Sequence, residues 1–208
     1  MLWYEQPKGP YLTESILGEY LKILFPEHEF IHNKVVPNSG IKNRPDYRND
    51  DLMLIIEFDG NRHYQQLGVI STDRIKDMTY GMMGYKVVRI PYFVQFSTVM
   101  IKHYFNIDVE WEQTYPHGFI DKSAVLPCDF NDMGYDRYMS QVHLMPFELA
   151  ESIQGSELDK TIALLSKEIA LHQFEFDVTE HHPDSPSVKY IRRYVPWFRT
   201  NRQVVCVS

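Results

Sequence analysis

The sequence predicts an α/β chain, with a mixed central sheet flanked by helices and a mostly helical or irregular C-terminal extension. Three observations predict it. Ile16, Leu17, Leu21, Leu24 and Phe25 recur at the spacing of one helix face. The run 52–59 is almost continuously apolar until its last residues, as in a strand buried on both faces that ends at a site. A helical stretch then separates it from a β-rich segment at 85–93, giving the order helix, strands, helix, strand.

The first helix spans Thr13 to Phe25, with Thr13 placed to cap it and Pro26 to stop it. Glu29 to Val36 has the β-branched content of a strand, and Pro37, Asn38, Ser39 and Gly40 supply a turn. Asp46 falls near the start of the next strand, and Gly60 lets the chain turn after Asp59. Ser71 is the expected cap of a helix running to about Met83, with Gly84 at its C-terminal cap. A helix is expected over Val94 to Tyr104, loops over Asn106 to His143, and a strong helix from a Ser156 cap to Phe176. Leu158, Ile162, Leu165 and Ile169 would form the apolar face of that last helix. The organisation reads as a core over residues 1–105 and an extension or subdomain over 106–208, for substrate choice or oligomer contacts.

Composition excludes several classes. No run approaches the ~18 apolar residues of a membrane span, and Glu5, Lys8 and Glu14 interrupt the place of a signal peptide. The expectation is therefore a soluble, cytoplasmic protein, in the host cytoplasm if the chain is phage-encoded. Cys128 and Cys206 lack zinc or disulfide spacing and read as free thiols. The net charge of −7 is unevenly spread. Residues 1–105 hold 12 basic and 12 acidic side chains, 106–176 hold 4 and 13, and 177–208 hold 5 and 3. The acidity is thus kept away from both the N-terminal segment and the tail.

Asp46, Glu57 and Asp59 are the first candidates for chemistry, because hydrolysis of a phosphodiester by a hard divalent cation needs convergent oxygen ligands. Side chains two apart on a strand share a face, so Glu57 and Asp59 project together, and an adjacent antiparallel strand brings Asp46 alongside. Phe58 faces the other way, leaving its carbonyl as a ligand. The same spacing also describes solvated strand-end carboxylates. His63 is placed to act as a base or as a donor to phosphate, against the structural role most single histidines have. Lys76 stands one turn after Asp73, and an ion pair between the two is the favoured reading over stabilisation of transition-state charge.

Arg44-Pro45-Asp46, Ile56-Glu57-Phe58-Asp59-Gly60, His63-Tyr64, Asp73-Arg74-Ile75-Lys76 and the strand from Gly84 to Arg89-Ile90-Pro91 together resemble the PD-(D/E)XK nuclease superfamily. The phage homing-type and very-short-patch-repair-like branches are the nearest in pattern. Ser15-Ile16-Leu17-Gly18-Glu19 is similar to their first helix, and the match covers residues 13–93. The resemblance implies a restriction-endonuclease-like core and Mg²⁺ (or Mn²⁺) held by Asp46, Glu57 and the Phe58 carbonyl, with Glu19 as a further or outer ligand. It implies in-line attack on a DNA phosphodiester by metal-activated water. Asp59 stands where the motif usually has Lys, so the source of that positive charge is open.

Arg44, Arg62 and Arg89 are candidates for DNA contacts, Arg44 and Arg89 equally for neutralising the acids. In the tail, Lys189, Arg192 and Arg193 interleave with aromatics, a pattern for phosphate contact and base stacking or for a solvated amphipathic helix. DNA is the expected partner, membrane is not, and a homodimer would allow a double-strand break. Two other readings remain: a nuclease fold retained as a binding or interaction module, and two carboxylates acting on a glycosidic bond. The second suits two residues on one strand poorly.

Overall fold

The computed structural model describes residues 9–111 and 115–172, with 165–172 described by their backbone alone. Helix α1 covers Glu14–Leu24, and Thr13 caps it by accepting the Ile16 N–H on its hydroxyl at 3.2 Å. Leu17, Leu21 and Leu24 turn its buried face to the sheet.

Four strands form that sheet in the order β1 (Ile31–His32), β2 (Tyr47–Asn49), β3 (Leu54–Asp59) and β4 (Lys86–Pro91). The first two pairings are antiparallel and β3–β4 is parallel, which gives the expected mixed α/β architecture. Strand β1 is far shorter than the run 29–36, because Asn33 takes a left-handed φ of 51° and breaks the extended backbone. Ile55 and Ile56 of β3 are both fully buried, so this strand is covered on both faces.

After the single turn α2 (Arg62–Gln65), helix α3 runs over Leu67–Met82, starting four residues before the expected Ser71 cap. Gln66 precedes it without a side-chain cap, and Ser71 is exposed. What sets the helix is its buried row Ile70, Asp73, Lys76 and Tyr80, at steps of three and four. Its end follows expectation: Gly84 adopts φ 92° and the Tyr85 N–H returns to the Tyr80 carbonyl at 3.0 Å.

The C-terminal half departs more. Helix α4 (Thr98–Phe105) starts four residues after the expected Val94 and ends one past Tyr104, and α5 (Asp132–Leu144) occupies a stretch expected as loop, with Asn131 accepting the Gly134 N–H at 2.9 Å as its cap. Helix α6 is continuous over Phe147–His172, so Ser156 lies within it; its hydroxyl donates to the Ile153 carbonyl and accepts the Phe119 N–H. Its buried row is Leu149, Ile153, Glu157 and Thr161, whereas Leu158 and Ile162 are half exposed. The expected Leu158–Ile162 face is therefore not the one turned inward. Phe176 lies outside the described residues.

One core joins the segments on either side of residue 105. Tyr64 is at its centre, stacked on Phe130 with centroids 4.9 Å apart and donating its hydroxyl to Gln141 at 2.7 Å. Among the described residues no helix is long and apolar enough to cross a membrane.

Candidate active site

The site forms where the β2–β3 ladder ends. Tyr47 pairs with Ile56, so the next step along an antiparallel register sets Asp46 opposite Glu57 on the same face. Asp46 Oδ2 accepts the Phe58 N–H at 2.6 Å. A strand residue points its amide and carbonyl to the same edge, so the Phe58 carbonyl also faces the β2 side, and the Asp59 carbonyl faces β4, where it accepts the Tyr92 N–H at 3.0 Å. Asp46, Glu57 and the Phe58 carbonyl thus lie together where the β2–β3 ladder ends.

Glu57 is 2% exposed. Lys76 reaches it from α3, its ammonium 2.7 Å from Oε2 and 2.6 Å from Oε1, so that one cation faces both oxygens. Burial raises the Glu57 carboxyl pKa to about 7, against the pull of Lys76 and Arg89. Burial also raises Asp46, opposed by the Phe58 N–H. Lys76 further donates to the Arg44 carbonyl at 3.1 Å. The expected Asp73–Lys76 pair is therefore not the one formed: both side chains enter from the same face of α3, but Lys76 meets Glu57 of β3.

Asp59 belongs to a second group. Fully buried, it binds Arg89 Nη1 at 2.8 Å and pairs with Arg137 of α5. Asp73 binds Arg137 Nη1 at 2.7 Å and His63 Nδ1 at 2.7 Å, and His63 Nδ1 lies 3.3 Å from Asp59 Oδ1. Burial would raise the Asp73 pKa, but the His63 hydrogen bond and the two guanidiniums prevail and hold it at about 2. Asp59, His63 and Asp73 have ligand atoms within 4.8 Å of one another, close enough for all three to reach one metal ion. Two guanidiniums already offset its two carboxylates, so the group is ion-paired as it stands, and Asp59 sits with His63 and Asp73 and not with the Glu57–Lys76 pair.

Arg89 is the corresponding correction among the DNA-contact candidates. It is tied to Asp59 and, through Nε at 2.8 Å, to Asp77, which turns its charge inward. Arg44 and Arg62 are exposed, Arg62 with its Nε on Gln66. Glu19 is exposed and paired with Lys22 at 2.8 Å; it is Glu14, five positions earlier on α1, whose charge acts on Asp46. Lys189, Arg192 and Arg193 lie outside the described residues.

An open cleft of about 370 Å³ adjoins the site, lined by Asn43, His63, Gln66, Thr72, Asp73 and Lys76 among others. A larger groove of about 1050 Å³ follows α1, but Glu14, Glu19, Glu27 and Glu29 line it and would repel a polyanion. The sequence reading missed Arg137, which lies 78 positions from the aspartate it holds. Its one signal is being one of four basic residues in the acidic stretch 106–176.

Comparison of the chain with family models, curated proteins and solved structures gives no match.

Proposed function

We propose that this chain is a metal-dependent endonuclease that hydrolyses DNA phosphodiester bonds, with Asp46, Glu57 and Lys76 at its centre. The observation that carries this reading is that Asp46, just before β2, binds the Phe58 N–H and acts by its charge on Glu57 of β3, which pairs with Lys76, a residue of the wall of an open cleft. The order helix, three antiparallel strands, helix, parallel strand supports a restriction-endonuclease-like core. In that frame Lys76 supplies from α3 the positive charge that Asp59 does not supply from β3.

The residues fit a hard dication. Asp46, Glu57 and the Phe58 carbonyl offer oxygens alone, as Mg²⁺ or Mn²⁺ prefers, and Asp46 is the carboxylate among them that no cation pairs with among the described residues. When bound, the cation would supply Lewis-acid charge to the phosphate and acidify the attacking water. Glu57 holds the ammonium of Lys76, a residue of the cleft wall, whose charge would offset the charge that develops on the phosphate oxygens. His63, on the same wall, carries a proton to or from the reacting oxygens. Both strands are cut by two such centres in a homodimer or by successive nicks.

Supercoiled plasmid incubated with Mg²⁺ or Mn²⁺ tests this reading. Nicked or linear product is expected with the wild type and not with EDTA or the Asp46→Asn/Glu57→Gln variant, while Lys76→Met should slow cleavage by about 10²-fold or more. Cleavage that survives in EDTA or in the double variant overturns the assignment. An intact plasmid with the wild type would favour the binding-module reading.

A further inference from the structure

We propose that Arg137, contributed by α5, is a positioning residue for His63: through Asp73 and Asp59 it fixes the imidazole with Nδ1 turned inward and Nε2 presented to the Lys76 cleft. The inference rests on the endonuclease reading for its chemistry and on hydrogen-bond geometry for its tautomer.

Asp73 is held at about 2, so at neutral pH it is an ionised carboxylate that only accepts. The 2.7 Å contact with His63 Nδ1 therefore requires the proton on Nδ1. A neutral ring so fixed carries its lone pair on Nε2, the atom that can take a proton. Nδ1 faces two buried carboxylates, and the histidine side chain is 23% exposed, so it is the opposite ring edge that meets the cleft shared with Lys76.

Arg137 closes this arrangement from outside the segment that carries the other site residues. Its Nη1 binds the same Asp73 oxygen that takes the His63 hydrogen bond, its Nη2 pairs with Asp59, and its guanidinium lies 5.3 Å from the Tyr64 ring centroid. One planar fork thus fixes two carboxylates at once, which a lysine's point charge does not do. Without it, Asp73 keeps Arg89 on Oδ1 at 3.3 Å but loses the only guanidinium on Oδ2, the oxygen that holds His63, among the described residues, and the imidazole loses the single orientation that presents Nε2.

The test uses Arg137→Met, Arg137→Lys and, because Asp59 is fully buried, Arg137→Met/Asp59→Asn, in which the lost charge is balanced. Two readouts are taken on folded protein: the His63 ring tautomer from long-range ¹H–¹⁵N correlations, and kcat separately from KM in metal-dependent plasmid nicking. The wild type should show the Nδ1–H form. The balanced double variant should show a mixture of tautomers and a kcat lower by on the order of 10²-fold with KM within about twofold, and Arg137→Lys should not rescue it. An Nε2–H wild type, or an unchanged tautomer and kcat in the double variant, overturns the proposal. If the wild type cuts nothing, the endonuclease reading fails and the tautomer alone decides the role of Arg137.

Discussion

Glu157 should make the protein lose stability as pH rises through neutrality, and Glu157→Gln should remove that loss. The carboxyl lies within α6 against the core, 6% exposed, where Oε2 accepts the Tyr138 hydroxyl at 2.7 Å. Among the described residues no cation offsets the burial, so its pKa is raised from 4.5 to about 7, with the Tyr138 bond opposing. The unfolded chain therefore releases this proton near pH 4.5 and the folded chain near pH 7. Between those values the folded state binds more protons, so stability falls as pH rises, by about 3 kcal/mol across the window at 1.36 kcal/mol per pH unit. Urea denaturation of both proteins at pH 5, 6, 7 and 8 checks it. The two should be similar at pH 5, and Glu157→Gln more stable by up to about 3 kcal/mol at pH 8, or about 6–12 °C in Tm for a chain of this size. Curves that stay parallel from pH 5 to 8 would refute the reasoning.

His117 should act with the opposite sign. Buried with Nδ1 accepting the Gln95 N–H at 3.1 Å, it is lowered to about 4, so the unfolded chain takes up its proton first and stability falls as pH drops from 6.5 towards 4. His117→Asn, which keeps an acceptor, should be more stable than the wild type by about 2 kcal/mol at pH 5 and equal to it at pH 7.5 in the same titration. Gly134→Ala should destabilise although alanine favours helices, because a Cβ there would stand 1.8 Å from the Tyr64 carbonyl oxygen, a backbone atom that cannot rotate away. Overpacking of about 1–3 kcal/mol or more outweighs a propensity gain of about 1 kcal/mol, and an unchanged urea midpoint would refute it.

The N-terminal elements were legible because local signals and burial agree there. Thr13, the apolar row of α1, the doubly buried β3 and the left-handed Gly84 each carry their own sequence mark. Strand β1 failed because β-branched content does not reveal that Asn33 turns the chain. Helix α6 was misread because its buried row contains Glu157 and Thr161, paired through Tyr138 and a backbone carbonyl, while Leu158 and Ile162 look outward. Periodicity counts apolarity and cannot count polar atoms satisfied by partners.

The site divides in the same way. Register alone places Asp46 beside Glu57, and that much the two strands disclosed. That Lys76 goes to Glu57 while Asp59 goes to Arg89 and Arg137 depends on tertiary contacts over as many as 78 positions, for which linear spacing holds no signal.

The proposed cation site is the Asp46–Glu57 pair at the end of the β2–β3 ladder, set against the Asp59–His63–Asp73 group as the alternative. Mn²⁺ titration followed by electron paramagnetic resonance tests it on the wild type, Asp46→Asn/Glu57→Gln and His63→Asn. Uptake by the wild type and by His63→Asn, with loss in the double variant, is the expected result; retention in the double variant together with loss in His63→Asn would contradict it.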